Sequence, residues 1–170
     1  AIAENAAHQK AGGSVVIMGT ALPIPTVQYQ VKQLNEWSER FGLDILGQVD
    51  NQQDNPGGYS QAATTMAAKF PNTDFVFAYN DPYALTTAQV LASSNLTDIK
   101  VSMPIGGAAE GFDAIRAGKI NASYAIPWRG IGVQSVYAAY RAVAGEELPQ
   151  VVVPEGILVT ADNVDDVPAA

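Results

Sequence analysis

The residues best placed to do chemistry follow short apolar runs. Asn80 and Asp81 come directly after Asp74–Tyr79 (DFVFAY) and before Pro82 and a helical stretch. Asn80 offers two donors and an acceptor, the inventory that a hydroxylated ligand requires. Asp81 reads either as a ligand contact or simply as a helix N-cap with Pro82 at the first helical position. Gly106 and Gly107 let backbone N–H groups approach a ligand at a helix start, or make a tight turn with positive φ. Trp128, in Pro127-Trp128-Arg129, is able to stack on the apolar face of a sugar ring or to lie as a lid over the core. Trp37 falls within an amphipathic stretch and fits packing.

Other chemistry finds no footing. Asp50, Asn51, Asp54 and Asn55 are oxygen-rich, but their spacing misses the EF-hand pattern, and a solvated turn without metal is expected. There is no cysteine and one histidine, His8, so thiol catalysis, disulfides and cysteine-based zinc sites drop out. No GxSxG elbow or GxxxxGK[ST] phosphate loop occurs, and Gly106–Gly111 (GGAAEG) is not GxGxxG. No nucleophile–base pair can be assembled, so neither an enzyme nor a cofactor is expected. Nine Lys and Arg against seventeen Asp and Glu give a net charge of −8, which repels phosphate backbones and argues against nucleic acid as a partner.

These residues need elements to hold them, and the chain supplies a single rhythm. The 170 residues are 48% apolar and 15% charged, enough for one domain with a substantial core. Ala1–Ala11 reads as a short helix and lacks the features of a signal peptide. Buried-strand runs are expected at Ser14–Gly19, Leu43–Val49, Asp74–Tyr79, Lys100–Ile105 and Ile120–Ile126. Helices are expected between them at Thr26–Phe41, Tyr59–Phe70, from Asp81 to about Ser93, and at Ala108–Ala117. A last helix, Gly130–Ala144, precedes an extended Val151–Val159 and an acidic tail. Regular alternation with short loops predicts an α/β fold, an open parallel sheet with helices on both faces. Ligands of such sheets sit outside the carboxyl ends of the strands, which is where Asn80, Gly106 and Trp128 fall.

The ordered pieces resemble the sugar-type branch of the type I periplasmic binding proteins, the group that contains ribose-binding protein. The matching features are Gly12–Gly19 (GGSVVIMG), Phe75–Asp81 (FVFAYND), and GFDAIRAGKINASYAI within Gly106–Ile126. They continue through the Pro127–Gly132 loop, Ala144-Gly145-Glu146, and Leu158-Val159-Thr160 with Asn163-Val164. The set runs over nearly the whole chain. The resemblance implies capture of a sugar, polyol or similar small polar solute for an ABC-transporter membrane permease, in the periplasm or otherwise outside the cytoplasmic membrane. It also implies that residues 1–126 are a carboxyl-terminal lobe, 127–150 a hinge-crossing segment that packs on an amino-terminal lobe, and 151–170 a return strand and tail. The chain is therefore expected to be a fragment of a two-lobed protein.

The family's ligand positions are only partly kept. Its asparagine is present as Asn80, but its arginine falls at Gln30, its aspartate at about Gly106, and its polar hinge residue at Ile126. Trp128, Gln30 and the Gly106-Gly107 backbone are left to supply substitutes. The effector domain of a lactose-repressor-type regulator and the ectodomain of a signalling receptor are the alternatives. The apolar positions Val133, Val136, Tyr137, Tyr140 and Val143 form one stripe along the last helix. Without an amino-terminal lobe to cover it, the chain is expected to self-associate through residues 130–144.

Overall fold

A computed structural model describes residues 1–169. The chain runs α1 (Ile2–Gln9), β1 (Ser14–Thr20), α2 (Pro25–Arg40), β2 (Asp44–Asn51), α3 (Pro56–Lys69) and β3 (Phe75–Ala78). It continues through α4 (Asp81–Ser93), β4 (Lys100–Gly106), α5 (Ala109–Arg116), β5 (Ala122–Ala125), α6 (Trp128–Val143) and β6 (Ile157–Val159). The strands form one sheet in the order β2-β1-β3-β4-β5-β6. β1 to β5 are parallel, and β6 joins the edge antiparallel, Tyr124 opposite Leu158. The fold is thus the α/β architecture expected, with one correction. The last strand is antiparallel because its chain returns from α6 instead of crossing over a helix packed on the sheet, and only the last three residues of the extended stretch pair.

Apolar continuity in the central strands has a direct cause. Val15, Val16, Ile17 and Met18 of β1 are fully buried, because helices cover both faces. Val15 and Ile17 pack with α1, α2, Phe75 and Phe77, whereas Val16 and Met18 face Tyr59, Met66, Tyr83 and Phe112. Each such side chain contributes about 1.5–3 kcal/mol by leaving water.

Helix starts explain the differences at the loops. α2 begins with Pro25, and α3 begins at Pro56 with Asn55 as its cap, Oδ1 accepting from Gly58 N–H at 3.0 Å. Tyr59, expected to open this helix, therefore lies a turn inside it, since proline is well suited to the first helical position. α6 differs from every other helix. None of its residues is buried, and Val136, Tyr140 and Val143 are 71%, 73% and 90% exposed. The predicted stripe exists, and within the described residues it faces solvent.

Candidate functional site

The carboxyl ends of β1, β2 and β3 are tied together by one chain of side-chain hydrogen bonds. Thr20 O–H donates to Asn51 Oδ1 at 2.9 Å, and Asn51 Nδ2 donates to Tyr79 O–H at 3.0 Å. Tyr79 donates onward to Asp54 Oδ1 at 2.5 Å, and Tyr59 donates to the same oxygen. Leu22 N–H completes the near end by donating to Thr20 Oγ1 at 3.2 Å. The two tyrosine hydroxyls share one carboxylate oxygen and Thr20 is linked to it through Asn51, an arrangement in which successive bonds polarise one another. Burial and the Asp54 carboxylate both push the Tyr59 and Tyr79 hydroxyls above the usual tyrosine range. Tyr83 stacks on Tyr59 with ring centroids 4.7 Å apart and meets Tyr79 edge-on at 5.3 Å.

No spacing in the sequence announces this linkage. Asn51 was expected in a solvated turn, yet it is 1% exposed. The available signal was the pairing of a buried-strand end with two tyrosines at Tyr79 and Tyr83. It carries no fixed spacing to Asp54, because the contact is made across three loops.

Asn80 corrects the expected cap. Its Oδ1 accepts from Tyr83 N–H at 2.9 Å, so Asn80 is the N-cap of α4 and Asp81 is the first helical residue, with Pro82 second. The favourable partner for the orphan N–H groups lies one residue earlier because the chain is still extended at Asn80, φ −149° and ψ 170°. Asp81 turns inward. Its Oδ1 is buried without a hydrogen-bond partner among the described residues, 3.0 Å from where a Cβ on Gly106 would stand. Burial pushes the Asp81 carboxyl up to about 6, while the backbone N–H groups of Ala108 and Gly107 pull it down and Glu110 adds to the rise.

Gly106 is required by close approach. A Cβ there would overlap Ser123 Oγ, a buried hydroxyl likewise without a partner among the described residues. An aspartate does not fit in this backbone position without displacing Ser123. Gly107 is required by conformation, φ +120°.

Gly107, Ile126, Pro127 and Trp128 line a cavity of about 290 Å³ at the ends of β4 and β5, together with Arg129 and Glu155. Trp128 is half exposed and belongs to the first turn of α6, not to a loop as expected. Gln30 stands apart. It lies on α2 in a different cavity, of about 270 Å³, with Trp37, Pro104, Tyr124 and the start of α1. The structure therefore brings Gly107, Ile126 and Trp128 together, sets Asp81 against Gly106, uses Asn80 as a cap, and puts Gln30 in a separate cavity.

The family described as periplasmic binding protein domain matches residues 1–147. A search of the curated proteins finds no match. Among solved structures, an ABC transporter periplasmic solute binding protein from Actinobacillus succinogenes 130z with bound D-allose superposes with a TM-score of 0.88. It is 15% identical, over 97% of this chain and 59% of that one. A periplasmic ribose ABC transporter protein from Conexibacter woesei DSM 14684 gives a TM-score of 0.82 at 17% identity, over 97% and 58%. An ABC transporter solute binding protein from Bacillus halodurans C-125 with bound myo-inositol gives 0.82 at 22%, over 96% and 57%. Likeness at these identities establishes the fold, and this chain spans less than three-fifths of each of the three.

Proposed function

We propose, from the premise that the chain belongs to the periplasmic binding protein domain family, that it is the carboxyl-terminal lobe of an extracytoplasmic solute-binding protein serving an ABC importer. Its solute is a sugar, a polyol or a similar small polar molecule. Binding occurs at the carboxyl edge of the sheet, where ligands of open α/β sheets sit. The observation that carries the reading is α6. This helix leaves the sheet after Ala125 with no residue buried, and the chain then returns to the same strand through β6. A helix with an uncovered apolar stripe, flanked by two crossings next to the binding edge, fits a hinge segment that docks on a second lobe. Residues 127–150 are assigned to that segment.

D-allose and myo-inositol bound in two of the similar structures support the solute class. The permease partner and the location outside the cytoplasmic membrane follow from the same reading. Among the described residues no helix is long and apolar enough to cross a membrane. In the isolated chain, the α6 stripe is expected to pair with a second copy.

A thermal-shift screen of the two-lobed reading-frame product against D-ribose, D-allose, D-galactose and myo-inositol tests the proposal. A saturable rise in Tm with at least one of them is expected, since a ligand that binds only the folded state stabilises it by mass action. A reading frame with a DNA-binding helix-turn-helix in place of a second lobe overturns the transport assignment.

A further inference from the structure

The carboxyl edge has few polar side chains left to offer a ligand. Thr20, Asn51 and Asp54 are spent on one another and on the two tyrosines. The Asn80 oxygen caps α4, and Asp81 Oδ1 and Ser123 Oγ are enclosed around Gly106. What stays open is mostly apolar. Ile126, Pro127 and Trp128 line the cavity of about 290 Å³ beside Gly107, and Ile157, Val167 and Pro168 line it from the returning chain.

That volume lies at the lower end of small-molecule sites and is enough to seat one sugar ring on this lobe. Trp128 presents a half-exposed indole, suited to the C–H face of a ring. A ligand hydroxyl pressed against Ile126 and Pro127 loses water without gaining a partner, which is unfavourable. The charges do not favour an anion. Arg129 and Glu155 line the cavity with opposite signs, and Asp81 and Glu110 lie in the first turns of α4 and α5, the helices that follow β3 and β4.

We infer that the solute of this lobe is an uncharged monosaccharide with an apolar face, of the deoxy or methyl-bearing class, seated on Ile126, Pro127 and Trp128. Acidic sugars and sugar phosphates are disfavoured. The inference rests on the reading that the carboxyl edge is the binding face, and it names the class of molecule that this face selects. Discrimination is modest, because an apolar wall rejects an added hydroxyl by roughly tenfold to a hundredfold.

Heteronuclear NMR titration of the two-lobed reading-frame product tests this with two matched trios. These are D-galactose, D-fucose and D-galacturonate, and D-glucose, D-quinovose and D-glucuronate. In at least one trio the 6-deoxy sugar is expected to shift the Trp128 indole and Ile126 amide signals with an apparent Kd about tenfold below that of its parent hexose. The uronate is expected to leave both signals in place. In Trp128→Ala, the response at Ile126 should fall at least threefold while the remaining amide spectrum keeps its native dispersion. A uronate that binds as tightly as the deoxy sugar overturns the solute class and leaves the binding face standing. If no probe moves any signal at residues 106–108 or 125–130, the inference falls together with the reading beneath it.

Discussion

Tyr79 donates its hydroxyl proton to Asp54 Oδ1 at 2.5 Å, so the end of β3 is fastened to a loop that leaves β2 twenty-five residues earlier. The bond is the far end of a relay that starts at Leu22 N–H, and it fixes three of the loops that border the binding edge. Removing Tyr79 O–H leaves the buried Asn51 Nδ2 without its acceptor. Tyr79→Phe is therefore expected to cost about 1–3 kcal/mol. Asp54→Ala should do the same and also speed amide exchange at residues 51–55. Urea unfolding and hydrogen exchange measure both. Wild-type stability in Tyr79→Phe would show that the relay contributes nothing to the edge.

Asn80 links stability to recognition. Because its side chain caps α4, Asn80→Ala is expected to lower unfolding free energy by about 0.5–2 kcal/mol, whereas Asn80→Asp and Asn80→Ser keep most of it. Denaturant melts of the three variants give the comparison. An unchanged midpoint for Asn80→Ala would mean that Asp81, after all, can cap the helix.

The Asp81 carboxyl gives the molecule a pH signature. Its folded-state value, raised to about 6, lies above the ordinary 3.8. The folded state therefore holds this proton more tightly than the unfolded chain does. Stability from this group is fully present below about pH 4 and is lost as pH rises through about 6. Asp81→Asn is expected to stabilise the protein at pH 7 by roughly 1 kcal/mol, a figure already reduced for the group's partial contact with solvent. The gain should shrink toward pH 4. Melting curves at pH 4.5, 6 and 7.5 test the sign, and a gain that grows in acid contradicts it.

Gly106 and Ser123 are coupled by contact. Gly106→Ala is expected to destabilise by about 1–3 kcal/mol, as overpacking in a filled core does. Adding Ser123→Gly should recover part of the loss, because the Oγ that a new Cβ would strike is gone. A double-mutant cycle reads the coupling, and strict additivity would place the strain elsewhere.

How much of this was legible in the sequence follows from how local each feature is. The apolar runs at Ser14–Gly19 and Asp74–Tyr79 announced buried strands, and the stripe on Val133, Val136 and Tyr140 announced an apolar face, because periodicity is a local property. The N-cap shifted from Asp81 to Asn80 because both types cap well and only backbone conformation decides between them. Asn51 misled for a different reason. A polar residue amid Asp and Gln reads as solvated, and only Tyr79, twenty-eight residues away, makes it a core residue. Gln30 lines a different cavity from Trp128, because helical spacing does not say which neighbours a helix residue meets.

The α6 stripe predicts the behaviour of the isolated chain. Five exposed apolar side chains forgo on the order of 1.5 kcal/mol or more each when left in water. Light scattering should show concentration-dependent association that Val136→Glu with Tyr140→Glu abolishes without lowering the melting temperature of the lobe. A monodisperse wild-type monomer at high concentration would remove the stripe as an interface.

If the carboxyl edge of this sheet binds a solute against a second lobe, both faces of that contact are read by hydrogen–deuterium exchange on the two-lobed reading-frame product, with and without the sugar that raises its Tm most. Slowed exchange is expected at residues 20–25, 51–55, 79–81, 106–108 and 126–130 on addition of that sugar. α6 is expected to be protected already, before the sugar is added. Protection confined to the opposite edge of the sheet, with α6 exchanging as freely as in the isolated lobe, would contradict that binding mode.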